Sequence, residues 1–243
     1  MAEDIAFVAG ATGLTGRHVV ETLRARGIDT IAHVRPDSPR LAEWRARLTK
    51  IGAAVDATPW EANAIAATLA KSKPTLTFAL LGTTRARAAV ASREGRDPAR
   101  ESYDAVDVAL TEQLMHACEP LAPRPRFVYL SSIGAGEGAR GAYLVARTRV
   151  ERALIASGLP YTIARPSFIV GDRDDHRASE KLGAPIADGV LGLLGALGAK
   201  RTADRYRSIT GADLARALVA AALDPASRDR ILEAGALQTL ARR

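Results

Sequence analysis

Short, nearly unbroken apolar runs punctuate the chain at residues 5–8, 30–34, 53–56, 76–81, 126–130 and 161–164, and between them apolar residues recur at helical spacing. Such runs lack the polar–apolar alternation of a half-exposed strand. They are expected of strands buried on both faces of a parallel sheet. In the intervening segments Val19, Val20 and Leu23 share one helix face, and Val106, Leu110 and Leu114 recur every fourth residue. Gly27-Ile28 and Gly158-Leu159-Pro160 read as helix stops, each a glycine followed by an apolar residue. Regular strand–helix alternation predicts right-handed crossovers and an α/β fold built on a doubly wound parallel sheet.

The pattern loosens after Arg165-Pro166. Residues 171–181 are densely charged (GDRDDHRASEK), and residues 187–199 are small and apolar. With 243 residues and no repeat or low-complexity linker, the expectation is one domain over residues 1–243. Residues 167–200 would form a small substrate-side insertion in its C-terminal part.

Charge narrows the partners. The net charge is +7 and arginines greatly outnumber lysines, but they are interleaved with Glu and Asp, as at residues 43–47 and 93–101. Aromatic content is 5%, which leaves few platforms for stacking bases. A solvated basic surface with a few anion-binding arginines follows, and nucleic acid is not an expected partner. No apolar run reaches the roughly 18 residues of a membrane span. The acidic start, Met1-Ala2-Glu3-Asp4, enters the first strand almost at once, which argues against a secretory signal. The single Cys118 suits a reducing compartment. The expectation is a cytoplasmic protein, monomeric or homodimeric, with no membrane or metal partner.

Chemistry enters with Gly10-Ala11-Thr12-Gly13-Leu14-Thr15-Gly16, directly after Ile5-Ala6-Phe7-Val8. Strand, glycine turn and apolar-periodic segment together form the arrangement that binds the diphosphate of a dinucleotide. Gly10 supplies a tight turn, Gly13 close backbone approach and Gly16 helix–strand packing, and the diphosphate meets N–H groups at a helix N-terminus. In such folds an acidic residue ending the second strand bonds the ribose hydroxyls, whereas an arginine accommodates the 2′-phosphate of NADP. Here the second strand ends His33-Val34-Arg35, and the forked guanidinium favours NADP(H). Asp37 is the competing acidic candidate, set off by the turn at Pro36. Asp56, ending the third strand, either meets the adenine edge or is a solvated strand-end carboxylate.

Ligands of open α/β sheets lie beyond the carboxyl ends of the strands. The fifth strand leads there into Ser131-Ser132. Tyr143 follows Ser132 by eleven residues and Arg147 stands four further on, on the same helix face. Together with the G-x-x-G-x-x-G spacing, this resembles the short-chain dehydrogenase/reductase superfamily in its atypical or extended branch, whose Ser…Tyr-x-x-x-Lys constellation here carries arginine in place of lysine. The resemblance implies that Tyr143 exchanges a proton with the substrate oxygen and that Ser132 hydrogen-bonds that same oxygen. Arg147 would stand in for the lysine that favours the phenolate and orients the nicotinamide ribose. Arginine supplies charge and ribose bonds but holds its proton too tightly for a relay.

Further motifs narrow the resemblance. Leu81-Gly82-Thr83-Thr84-Arg85, Ser131-Ser132-x-Gly134-Ala135, Arg165-Pro166 with Gly171-Asp172-Arg173…Arg177…Glu180, and Ile231-Leu232-Glu233 are similar to the atypical reductases of the oxidoreductase Tat-interacting-protein group. By that resemblance Thr12 to Thr15 cradle the diphosphate and Arg35 holds the 2′-phosphate. Leu81, Gly82 and Thr83 line the dinucleotide groove, while Ile169 and Arg177 close over the nicotinamide half. The implied activity is NADPH-dependent hydride transfer to a small carbonyl or quinone-like substrate. The alternative, drawn from Arg147 and a weakly specified substrate region, is a non-catalytic NADP(H)-binding redox sensor that acts through a protein partner. A nucleotide-sugar epimerase is disfavoured by the chain's length.

Overall fold

The computed structural model describes residues 4–83, 92, 93, 95, 97, 99, 102–171 and 208–243. Each apolar run becomes a strand: β1 (Ile5–Ala9), β2 (Asp29–His33), β3 (Ala54–Asp56), β4 (Leu76–Ala79), β5 (Arg126–Leu130) and β6 (Tyr161–Arg165). A short parallel pair, β7 (Ile169–Val170) and β8 (Ile209–Thr210), stands apart from the main sheet. The main sheet closes on β9 (Arg230–Glu233). Its order is β3-β2-β1-β4-β5-β6-β9, parallel throughout. Hydrophobic periodicity misses β9, because an edge strand only partly buried needs no continuous apolar run.

The helices are α1 (Leu14–Ala25), α2 (Leu41–Lys50), α3 (Ala62–Ser72), α4 (Leu110–Cys118), α5 (Ala142–Ala156), α6 (Gly211–Leu223) and α7 (Ala234–Leu240). They cover both faces of the sheet, and strand alternation divides the core accordingly. Ala6, Val8, Phe78 and Val128 face α1, α2, α6 and α7. Phe7, Ala9, Phe127 and Tyr129 face α3, α4 and α5. This is the doubly wound architecture expected, and its strand order reverses between β1 and β4. Sheets of this kind bind ligands at such a reversal, beyond the carboxyl ends of the strands.

Local stops act as read from the sequence. Gly27 adopts φ +74°, its N–H donates to Arg24 O (3.0 Å), and the Ile28 N–H donates to Leu23 O (3.1 Å). This is the paired closure of a Schellman motif. The helix after β4 departs from expectation. It begins as a π-helical segment, Tyr103–Ala109, before continuing as α4. Its inward line is Asp107, Val108, Thr111, Leu114, Met115 and Cys118, whereas Val106 and Leu110 are only half-buried. The wider π turn rotates the face, and it carries an aspartate into the core. Burial pushes the Cys118 thiol up to about 12, so that residue acts as packing rather than as a nucleophile. Among the described residues no helix is long and apolar enough to cross a membrane. The insertion expected at residues 167–200 lies outside the described residues beyond Gly171.

Candidate functional site

The glycine loop is shaped by contact with backbone. Gly10 has φ +84°, and a Cβ there would stand 2.5 Å from Leu80 O, just past the end of β4. A Cβ at Gly16 would stand 2.0 Å from Gly10 O, so α1 starts directly against the loop. The Gly13 N–H closes the turn on Gly10 O at 3.0 Å, and exposed Gly13 is the N-cap of α1. No side chain caps that helix and its first turn carries no acid. Its leading N–H groups and positive dipole end therefore face outward at the switch point. A cradle that side chains would fill, walled by Thr12 and Leu14 and backed by buried Thr15, fits the diphosphate of a dinucleotide. Cβ atoms at Gly171 and Gly211 would stand 3.0 Å from Leu14 Cδ1 and 3.1 Å from Leu14 O. The β7–β8 pair, with half-buried Ile169, therefore sits beside this loop.

At the end of β2, His33 is buried. Its Nε2 lies 2.9 Å from Thr58 O and its ring meets Trp60 edge-on at 4.5 Å. Burial holds its pKa below the ordinary histidine range. Beyond it Arg35 is exposed, its Nε 3.8 Å from Asp37 Oδ1, so the competing candidates for the ribose end stand side by side. Asp56 turns back on its own loop, accepting from the Thr58 N–H (3.2 Å) and hydroxyl (2.7 Å).

At the end of β5 the two serines diverge. The buried Ser131 hydroxyl donates to Glu151 Oε1 on α5, which is also held by Arg165 through Nε (2.9 Å) and Nη2 (2.6 Å to Oε2). Half-buried Ser132 makes, among the described residues, a 3.3 Å contact from its hydroxyl to Ile133 O. Of the two hydroxyls, that of Ser131 is committed to a buried carboxylate and that of Ser132 is not.

Tyr143, half-buried in the first turn of α5, and Arg147 one turn on come together as the four-residue spacing requires. The guanidinium carbon lies 5.2 Å from the Tyr143 ring centre. Arg147 is buried. Its Nη1 donates to Leu130 O (2.8 Å), Leu81 O (3.3 Å) and Tyr129 Oη (3.3 Å), and its Nη2 lies 2.7 Å from Asp107 Oδ1. Burial works against its charge, but Tyr129, Tyr143 and Asp107 outweigh that and raise its pKa. Tyr129 is pushed up to about 12, chiefly by burial, and stays a neutral phenol.

Leu81 and Gly82 therefore rest on Arg147, while the Thr83 N–H donates to Asp107 Oδ2 at 3.0 Å. The glycine loop, the β4 end and the Tyr143 helix form one contiguous surface. Arg177, like Arg85 and Arg173, lies outside the described residues. Sequence reasoning missed Asp107, Glu151 and Tyr103, whose ring packs on Tyr143 at 5.4 Å. Only Asp107 left a signal, a lone acid between Val106 and Val108 in an otherwise apolar stretch.

A family model described as NAD(P)H-binding matches residues 10–225. The mitochondrial protein FMP52 of Candida glabrata is 28% identical over 180 residues, covering 72% of this chain and 68% of that protein. UDP-glucose 4-epimerase from Thermotoga maritima, solved with UDP-glucose, superposes with a TM-score of 0.63 at 20% identity, over 93% of this chain and 75% of that one. The Bordetella bronchiseptica enzyme WbmH, solved with NAD+, gives a TM-score of 0.58 at 15% identity, over 89% and 71%. At those identities the two structures speak for a shared fold.

Proposed function

This chain belongs to the NAD(P)H-binding family, and from that premise we propose that it is an NADPH-dependent oxidoreductase acting on a small carbonyl or quinone-like substrate. Within the family we read it as an atypical short-chain reductase, closest in motif to the Tat-interacting-protein group. The observation that carries the reading is Tyr143, whose ring lies against the buried Arg147 guanidinium, which in turn bonds Leu81 O at the edge of the surface that runs from the uncapped start of α1.

In this reading residues 12–16 hold the diphosphate through backbone N–H groups. Arg35 pairs with the 2′-phosphate, and Leu81, Gly82 and Thr83 form the groove floor. Ile169 and Arg177 cover the nicotinamide half. When bound, the reduced nicotinamide supplies hydride. Ser132 orients the substrate oxygen by a hydrogen bond, and Tyr143 delivers the proton to it. Arg147 keeps a positive charge against the Tyr143 ring without taking part in proton relay.

A second reading has one observation in its favour. The terminal nitrogens of Arg147 are already engaged by Asp107, Leu81, Leu130 and Tyr129, an arrangement that suits a cofactor-binding regulator as well as an enzyme. NADPH oxidation against panels of aldehydes, ketones and quinones separates the two. The enzyme reading expects turnover with some acceptor and a loss of about a hundredfold or more in Tyr143→Phe with NADPH affinity unchanged. Tight NADPH binding with no turnover on any acceptor would favour the regulator.

A further inference from the structure

We propose that Asp107 is a positioning residue for the nicotinamide half of the cofactor groove, acting through Arg147 and the Thr83 backbone. The proposal rests on the reading of this crevice as an NADP(H) site.

Asp107 is fully buried, and a carboxylate in a core is costly unless it is paired. One oxygen lies 2.7 Å from Arg147 Nη2 and the other accepts the Thr83 N–H at 3.0 Å. Arg147 in turn bonds Leu130 O and Leu81 O. One ion pair thus joins the end of β4, the end of β5 and α5. There is no slack beneath the groove floor, since a Cβ on Gly82 would stand 2.8 Å from Arg147 Nη2. The π-helical segment adds a second rung one turn earlier, where Tyr103 packs on Tyr143 at 5.4 Å. Tyr103 and Asp107 are thus matched with Tyr143 and Arg147, four residues apart on each element.

Buried ion pairs are poor sources of stability compared with apolar residues of the same volume. What this pair supplies instead is geometry: it sets the height of the Leu81–Gly82–Thr83 backbone relative to Tyr143. Its contacts named above lie at the ends of β4 and β5 and on α5, whereas Arg35 lies past β2.

The test compares two ligands on the 243-residue chain by calorimetric titration, NADPH and the adenosine-half fragment adenosine 2′,5′-bisphosphate. Asp107→Asn, which keeps an acceptor for Thr83 but strands the Arg147 charge, is expected to weaken NADPH roughly tenfold and leave the fragment within about twofold. Equal weakening of both ligands, or of neither, would overturn the proposal, because a merely structural aspartate has no reason to distinguish them. If circular dichroism shows that Asp107→Asn does not fold, Asp107→Glu carries the same comparison, since it keeps the charge and displaces the pair by a methylene. A wild-type protein that binds neither ligand would instead refute the cofactor assignment, and this proposal with it. A wild type that binds both, with variants showing no selectivity, would refute the proposal alone.

Discussion

Arg147 and Asp107, forty residues apart in sequence, form a buried ion pair 2.7 Å long directly beneath the loop that follows β4. Tyr143, Leu81 and Leu130 each contact Arg147, and the Thr83 N–H donates to Asp107.

Breaking the pair is expected to be far more damaging than replacing it. Arg147→Met alone strands the Asp107 charge and should cost about 3–5 kcal/mol, as should Asp107→Leu alone, whereas the double variant should recover most of that loss. Urea denaturation of the four proteins measures it. A double variant as unstable as the sum of the singles would show that the two side chains act independently.

Arg35 is exposed beyond β2 with Asp37 beside it. Arg35→Ala is expected to weaken NADPH by roughly tenfold while leaving NADH little changed, as befits loss of a charge-assisted phosphate contact. Parallel titrations with the two cofactors decide it, and an unaltered NADPH-to-NADH ratio would remove the assignment of the 2′-phosphate to this side chain.

His33 predicts a pH dependence of stability. Burial lowers its pKa in the folded state from the ordinary 6.5, so below that value the unfolded chain takes up a proton that the folded chain refuses. Stability is then complete above the unfolded value and falls as pH drops through about 6.5 toward the folded pKa. Urea midpoints at a series of pH values across that window should show the decline, and His33→Asn should flatten it.

Gly16 leaves no room for a methyl group, since its Cβ would meet Gly10 O at 2.0 Å. Gly16→Ala must push α1 away from the loop. A cost of about 1–3 kcal/mol in stability is expected, together with a marked loss of NADPH affinity. Wild-type melting and affinity in this variant would mean that the helix start does not form the cradle.

Much of this molecule was legible from neighbouring residues. The apolar runs specify the first six strands, and the stops at Gly27 and Gly158 end their helices. The turn at Gly10 and the close packing at Gly16 were legible because such geometry depends on the few residues around them. The four-residue step from Tyr143 to Arg147 was equally readable, being a property of one helix. The face assigned to Val106, Leu110 and Leu114 was misread, because a π-helical start shifts the register and a pattern search does not expect an aspartate on the buried side.

By itself the sequence determined the class of fold, the place of the glycine loop and the pairing of a tyrosine with a cation, all consequences of local spacing. Only the tertiary structure decided that Ser131, and not Ser132, serves Glu151, that Arg147 answers to Asp107, and that β9 completes the sheet. The physical reason is common to all three. Each depends on a partner brought from at least twenty residues away, and a buried polar group takes whichever partner the packing delivers to it, a choice that no local pattern encodes.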